Sequence, residues 1–310
     1  MPTVRDRLHY SGNALRRNRQ RPVLDLLVDA IGGNASMPDY DLILYESDQD
    51  SSITRITLNR PDRLNALNDQ MQVEIAAAVA EADADPETRV VIITGAGRAF
   101  CAGGDINQLG GSSNGNDSGW TSGNADQVRR SFKLAQDMIL GVQQCEKPVI
   151  AMVNGVATGA GLDLACACDI RTGTPQSRFM SAYVRIGLFP GFGGTWLYPR
   201  TLGSLGRAAE MLFTGDFLEA EDAYRLGFLN RLVAEDELEA ATLAIAEKIA
   251  AGPPIAIRLS KLMLYKGLEF DLETAMKMAA AGETITLTSQ DHVEGVAAFR
   301  QKRTAEYRDF

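Results

Sequence analysis

Two segments of this chain share one design, in which a continuous apolar run leads into a cluster of glycines and then into a helical pattern. They are VVIITGAGRAFCAGGD at residues 90–105 and VIAMVNGVATGAGLDLA at residues 149–165. A run that is apolar at every position predicts a strand buried on both faces, so helices must cover the sheet that it joins. The two segments therefore predict a repeating β/α core.

The flanking sequence agrees with this prediction. Apolar and polar residues alternate at 41–46 and at 53–58, and the polar spacer SDQDSS between them predicts a hairpin. Residues 67–86 place apolar side chains at helical spacing and end at a proline, which predicts a helix before the first buried strand. Shorter strands are predicted within residues 167–182.

The pattern changes near residue 203, beyond which it is almost entirely helical apart from one short strand at 228–233. We therefore divide the chain into a β/α core at 39–202 and a helical C-terminal region at 203–310. Residues 1–38 form a separate arm that contains six arginines but also Asp6, Asp25 and Asp29. These acids favour a docking arm over an organellar transit peptide, and neither is excluded.

Composition narrows the classes of partner. The chain has 310 residues, a formal net charge of -9 and a pI near 4.9, which argues against a nucleic-acid-binding surface. It contains no run of eighteen apolar residues, so we predict no membrane span. Its four cysteines lie in apolar or glycine-rich surroundings typical of reduced thiols, which predicts a cytoplasmic protein.

Several common catalytic motifs are excluded by particular residues. GAGRAF and GFGGTW begin like dinucleotide-binding fingerprints, but Phe100 and Trp196 stand where the third glycine is required. The chain has two histidines, His9 and His292, which makes a Ser-His-Asp triad or a histidine-rich metal site hard to assemble. We predict no metal site.

The glycine clusters themselves allow a chemical interpretation. Small residues let a ligand approach the backbone closely, and a helix that begins at the cluster leaves unpaired N–H donors. Two such N–H groups directed at one point would form an oxyanion hole, which stabilises charge on a carbonyl oxygen. The alternative is that the glycines only permit close packing of helix on sheet.

Four ordered motifs resemble those of the enoyl-CoA hydratase/isomerase, or crotonase, superfamily. They are LNRPDRLNAL at 58–67, FCAGGD at 100–105, NGVATGAGLDLACACDIR at 154–171 and GLFPGFGGTWLYPR at 187–200. The resemblance runs from about residue 40 to the end. It implies a crotonase-like α/β spiral of ββα repeats with a helical C-terminal trimerisation region. It also implies a homotrimer or dimer of trimers, and an acyl-CoA thioester substrate with no separate cofactor.

The resemblance also assigns roles to residues. The backbone N–H groups of Gly104 and Ala160 would bind the thioester oxygen. The CoA moiety would run past Arg60, Arg63, Leu64, Ala66, Ala102, Gly103, Asp105 and Ile106, with Lys261 as a phosphate contact. Asp163 takes the place of the first catalytic glutamate of the hydratases, where helix capping is the alternative role for an acid.

The sequence departs from the family at the second glutamate, where Tyr183 stands. A phenol has a reference pKa near 10 and is a poor base, although it can donate a hydrogen bond or a proton. From the resemblance as a whole, we expect an acyl-CoA enzyme that hydrates a 2-enoyl-CoA. The alternatives are a single-carboxylate isomerase, an acyl-CoA or C–C hydrolase, and a non-catalytic CoA-binding protein.

Overall fold

The computed structural model describes residues 40–105 and 125–308 and arranges them around two β-sheets. The N-terminal arm, Ile106 and the polar segment at 110–124 lie outside the described residues. The strands are β1 Ile43–Asp48, β2 Ile53–Leu58, β3 Val90–Gly95, β4 Ala99–Cys101, β5 Val149–Val153, β6 Val156–Thr158, β7 Ile170–Gly173, β8 Arg178–Met180, β9 Leu218–Glu219 and β10 Arg231–Leu232.

The larger sheet has the order β1-β2-β3-β5-β7-β10. β1 and β2 pair antiparallel, with Ile43 opposite Leu58, which confirms the predicted hairpin. The next strands pair parallel, and every residue of β3 and β5 is buried. Burial on both faces explains why these two strands are apolar at every position.

The smaller sheet has the order β4-β6-β8-β9, and its strands β4 and β6 lie where only glycine-rich turns were predicted. β4 follows β3, β6 follows β5 and β8 follows β7, so the chain visits the two sheets alternately. A helix follows each of these pairs. This alternation is the predicted spiral of ββα repeats. β4 and β6 were not predicted, because three residues inside a glycine-rich segment are too few to show a period, whereas β8 lies within the predicted strands at 167–182.

The helices are α1 Asp69–Ala84, α2 Ala125–Gln144, α3 Ala160–Ala167, α4 Gly194–Thr201, α5 Leu205–Thr214, α6 Ala220–Arg225, α7 Leu238–Ala250, α8 Pro254–Lys266, α9 Leu272–Leu287 and α10 Gln290–Gln301. The α1 helix confirms the predicted helix before the first buried strand. Asn68 caps it by accepting a hydrogen bond from the Met71 N–H at 2.9 Å. Met71, Ile75 and Val79 are buried in the main core, as their spacing predicts.

The region beyond residue 203 is mainly helical but also completes both sheets. β9 pairs with β8, and β10 pairs with β7. The long helical pattern at 254–287 divides into α8 and α9, because Asp271 caps a new helix through the Thr274 N–H. The predicted domain boundary at residue 202 therefore separates two parts of the chain that contribute strands to the same two sheets.

Helices α8 to α10 expose large apolar side chains. Leu264, Leu272, Met276, Val293 and Phe299 are each at least 60% exposed, and α9 buries none of its residues. Among the described residues, no single helix has the length and apolar character to cross a membrane. The segments Glu235–Ala250 and Pro254–Lys266 reach the required length and apolar character only when they are combined, and the chain bends by 107° between them.

Candidate active site

The turns that follow β4 and β6 lie against each other. A Cβ atom built on Gly103 would lie 2.8 Å from the carbonyl oxygen of Thr158 and 3.6 Å from the nitrogen of Ala160. Gly103 also has φ +96°, a conformation that favours glycine. The Thr158 hydroxyl joins the turns by donating to the Ala102 carbonyl at 2.8 Å. The structure thus brings together the two glycine clusters that the sequence singled out.

Gly104 and Ala160, the two predicted N–H donors, both lie at this junction. Ala160 is the first residue of α3, where the N–H of a helix has no intrahelical acceptor. Gly104 forms a parallel bridge with Leu67 in which Leu67 and Asp105 supply the N–H donors, so the Gly104 N–H takes no part in it. Two such donors beside each other are the elements of an oxyanion hole.

Asp163 lies one turn into α3 and is completely buried. The Tyr183 hydroxyl, in a short 3₁₀ turn at Ala182–Ile186, donates a hydrogen bond to its Oδ2 atom. Tyr183 is 8% exposed, and its ring lies 3.9 Å from the position of a Cβ atom on Gly159. The predicted catalytic pair is therefore in direct contact beside the oxyanion turn.

Burial controls the ionisation of this pair. It raises the pKa of Asp163 to about 7, against the opposing effect of the hydrogen bond from Tyr183. Burial and the neighbouring Asp163 charge raise the pKa of Tyr183 well above its ordinary value. Tyr183 is consequently a protonated donor near neutral pH, while Asp163 can exchange a proton in that range.

The predicted CoA-binding segment forms the rim of the site. Leu64 and Asn65 both have positive φ, and the Ala102 N–H donates to the Leu64 carbonyl at 2.9 Å. Asn65 is fully buried, and its side chain bonds the carbonyls of Ala96 and Ala99 at 2.9 and 2.8 Å. This asparagine fixes the rim to the β3–β4 turn.

The residues predicted to bind CoA have different environments in the structure. Arg60 is mostly buried, pairs with Asp105 at 2.9 Å and donates to the Ala66 carbonyl, so it joins two segments of the rim. Arg63 is exposed, whereas Leu64, Ala66, Ala102 and Gly104 are partly exposed beside it. Ile106 lies outside the described residues.

Lys261 is not at this rim. Its side chain is 9% exposed, pairs with Asp169 at 2.7 Å and donates to the Lys147 carbonyl at 2.9 Å. Asp169 follows the end of α3 opposite Ala160, about 12 Å away at 1.5 Å per residue. Within this protomer, Lys261 therefore fixes α8 to the core, and its role as a phosphate contact stays a prediction.

Sequence analysis missed two polar residues near Asp163, namely Tyr198 of α4 and Ser181. Both are buried, and a Cβ atom built on Gly194 would lie 2.7 Å from Cζ of Tyr198 and 2.8 Å from Oδ1 of Asp163. Tyr198 lies within a quoted motif, but its four-residue spacing from Gly194 gave no sign that it faces the acid. Across residues 40–105 and 125–308, no group of three or more His, Cys, Asp or Glu side chains is arranged to hold a metal ion.

Comparison with known proteins agrees with this architecture. Residues 48–309 match the family model described as enoyl-CoA hydratase/isomerase. The chain belongs to the enoyl-CoA hydratase/isomerase family. Its fold is the crotonase fold, as the motifs implied, and a crystal structure of an enoyl-CoA hydratase from Bacillus anthracis superimposes with a TM-score of 0.79 at 32% identity, covering 87% of this chain and 100% of that one.

Members with different activities are similar to this chain. The crotonyl-CoA hydratase of Syntrophomonas wolfei is 35% identical over 269 residues, 86% of this chain and 98% of its own length. The 1,2-epoxyphenylacetyl-CoA isomerase of Escherichia coli K12 is 33% identical over 258 residues, 83% of this chain and 95% of its own length. Membership of the enoyl-CoA hydratase/isomerase family thus includes both hydration and isomerisation.

Proposed function

We propose that this member of the enoyl-CoA hydratase/isomerase family adds water to the double bond of a 2-enoyl-CoA thioester. The observation that supports it best is the hydrogen bond from Tyr183 to the buried carboxylate of Asp163, directly beside the two facing turns. The similarity to a protein named crotonyl-CoA hydratase supports the same reaction.

The two turns would act on the thioester carbonyl. Its oxygen would accept hydrogen bonds from the N–H groups of Gly104 and Ala160, the latter at the positive end of the α3 dipole. Addition at C3 moves electrons toward this oxygen and forms an enolate. Losing one donor from such a pair lowers the rate on the order of 100- to 1000-fold.

Asp163 and Tyr183 would move the protons. The Asp163 carboxylate accepts a proton from water while the water oxygen bonds to C3. The Tyr183 hydroxyl gives its proton to C2 of the enolate, and Tyr183 regains a proton from Asp163 through their hydrogen bond. One water is consumed, one C–O and one C–H bond form, and both side chains return to their starting state.

Double-bond isomerisation is the second candidate. The other acid in these turns, Asp105, is paired with Arg60, which leaves Asp163 as the carboxylate available for proton transfer. A single group with a pKa of about 7 can take a proton from one carbon and return it to another. The similarity to a protein named as an isomerase supports this alternative.

A panel of thioesters separates these activities. With crotonyl-CoA, hydration is measured as a loss of enoyl absorbance. With a 3-enoyl-CoA, isomerisation is measured as a gain of enoyl absorbance, and with a saturated acyl-CoA, hydrolysis is measured as release of free thiol. We expect the first signal, and we expect the Asp163→Asn variant to lose it while still binding CoA in calorimetry. Release of thiol would indicate a hydrolase, and tight binding with no signal would indicate a non-catalytic binding protein.

The rim residues lead to a proposal for CoA binding. Arg63, exposed beside Leu64 and Ala66, would contact the CoA phosphates, and the backbone near Ala102 and Asp105 would line the path to the thioester. CoA arrives as part of the substrate, so we propose that no separate cofactor takes part. We also propose a cytoplasmic location, since all four cysteines are buried free thiols.

We further propose that the chain assembles as a homotrimer or a dimer of trimers through α8 to α10. The exposed apolar side chains of these helices support this assembly, because a large apolar surface marks an interaction site. Light scattering coupled to gel filtration measures the mass directly. Phe299→Asp, at a side chain 86% exposed, should reduce the mass of the assembly, and a monomeric parent chain would contradict the proposal.

A further inference from the structure

Three polar atoms meet in the interior behind the catalytic pair. They are Oδ1 of Asp163 and the hydroxyls of Tyr198 and Ser181, and each is buried without a hydrogen-bond partner of good geometry among the described residues. All three side chains are at most 1% exposed. Buried polar groups in native proteins are almost always hydrogen-bonded, so three adjacent exceptions indicate an unassigned network.

Gly194 shows how closely these groups approach. A Cβ atom built on this residue would lie 2.8 Å from Oδ1 of Asp163 and 2.7 Å from Cζ of Tyr198. Tyr198 is one helical turn beyond Gly194 on α4, so its ring folds back over the glycine toward the acid. The Tyr198 hydroxyl interacts with both Asp163 and Ser181. Tyr198 and Oδ1 of Asp163 therefore lie on the same side of Gly194.

The opposite oxygen of the carboxylate is already occupied. Oδ2 of Asp163 accepts from Tyr183, which lies on the side of Gly159 and the oxyanion turn. Tyr198 comes from a different element, α4, and lies on the other side of the carboxylate. Its ring therefore approaches Oδ1 from the side of Gly194 and not from the side of Gly159.

We propose that Tyr198 is a positioning residue, which donates a hydrogen bond to Oδ1 of Asp163 while Ser181 donates to the Tyr198 oxygen. The proposal rests on the proposed role of Asp163 as the base. Two phenols then fix both oxygens of one carboxylate, so that the lone pairs of Asp163 keep a constant direction. Gly194 is required because any side chain there would separate Tyr198 from Asp163.

The test compares wild type with Tyr198→Phe. The variant loses a hydrogen-bond donor to the charged form of Asp163, so the pKa of Asp163 should rise. The acid limb of the pH profile of kcat should then move upward by about one pH unit. KM should change less than about twofold, because Tyr198 does not contact substrate. The pKa itself is measured by ¹³C NMR of carboxyl-labelled aspartate, with the Asp163 signal assigned from Asp163→Asn.

Tyr265→Phe is the matched control. Tyr265 is a partly buried tyrosine that donates to a different aspartate, Asp169 at 2.7 Å, and it lies on α8 at the far end of α3. This variant should leave both the acid limb and the Asp163 signal unchanged. Ser181→Ala should shift the Asp163 pKa in the same direction as Tyr198→Phe by a smaller amount, and it tests the proposal if the phenylalanine variant does not fold.

The outcomes separate this inference from the proposed function. An Asp163 pKa that is the same in wild type, Tyr198→Phe and Ser181→Ala overturns the network, even if the variants lose thermal stability. An NMR shift in a protein that turns over none of the thioesters supports the network and rejects the proposed reaction. A shift caused equally by Tyr265→Phe would also overturn the proposal, because it would not depend on contact with Asp163.

Discussion

The hydroxyl of Tyr183 donates a hydrogen bond to Oδ2 of Asp163, in the interior beside the turn that carries Ala160. A phenol thus contacts the one acid retained from the motif of the hydratases. Because burial raises the pKa values of both groups, the pair holds a proton that can be exchanged near neutral pH.

Stability should depend on pH through Asp163. Its pKa is about 7 in the folded protein and near 3.9 in an unfolded chain, so the folded state binds the extra proton between these values. Burial of the Asp163 carboxylate therefore does not destabilise the folded protein below pH 4. Above pH 7 it lowers the free energy of unfolding by about 4 kcal/mol. Asp163→Asn removes this effect. The free energy of unfolding of this variant, measured in urea, should exceed that of wild type by a margin that rises from pH 4 to pH 8; a margin independent of pH would contradict the assignment.

Tyr183→Phe tests the proposed proton donor. The variant loses the donor to Oδ2 and the acid that would protonate C2, so kcat for hydration should fall on the order of 100-fold. KM should change little if the thioester is bound by the backbone. An enzyme that keeps full isomerase activity in this variant while losing hydration would show that Asp163 alone moves the proton between carbons.

Gly103→Ala should disrupt the oxyanion turn. The added Cβ would lie 2.8 Å from the Thr158 carbonyl in a residue with φ +96°, which forces apart the turns that carry Gly104 and Ala160. Turnover should fall on the order of 100-fold even in the folded fraction. Gly203→Ala is the control, since Gly203 also has positive φ, at +63°, but has no atom within 4 Å of its added Cβ. That variant should lose about 1 kcal/mol of stability and keep its activity.

Arg60 and Arg63 should behave differently despite their proximity. Arg63→Ala removes an exposed cation near the proposed phosphate path, so KM should rise several-fold at low salt and the effect should weaken as salt increases. Arg60→Ala breaks the ion pair with Asp105 and the bond to Ala66, so it should lower thermal stability and kcat together. Equal effects of the two variants on KM alone would contradict the separate roles.

Much of the fold could be predicted from local pattern. The hairpin, α1 and the buried strands β3 and β5 were each signalled by periodicity or by a continuous apolar run. The strands β4 and β6 were not, because three residues inside a glycine-rich segment have no detectable period. The break between α8 and α9 was also missed, since GLEFD interrupts an apolar pattern that continues on both sides.

The residues of the candidate site can likewise be divided into those that the sequence predicted and those that it did not. Gly104, Ala160, Asp163 and Tyr183 follow from ordered motifs, and the structure brings them together. Lys261 was assigned from the resemblance to the family, and its pairing with Asp169 could be seen only after α8 was folded onto the core. Ser181 lies outside the quoted motifs, and Tyr198 lies inside one that does not indicate where its side chain points. Their proximity to Asp163 depends on the packing of α4 against α3.

The amino-acid sequence by itself determined the repeating β/α design, the family and the position of the acid, because these depend on residues close together along the chain. The tertiary structure decided which polar groups meet Asp163 and how strongly water is excluded from it. Those properties arise from segments 20 to 35 residues apart that only folding brings into contact. The ionisation of Asp163 is set by that burial, which no local pattern of residues records.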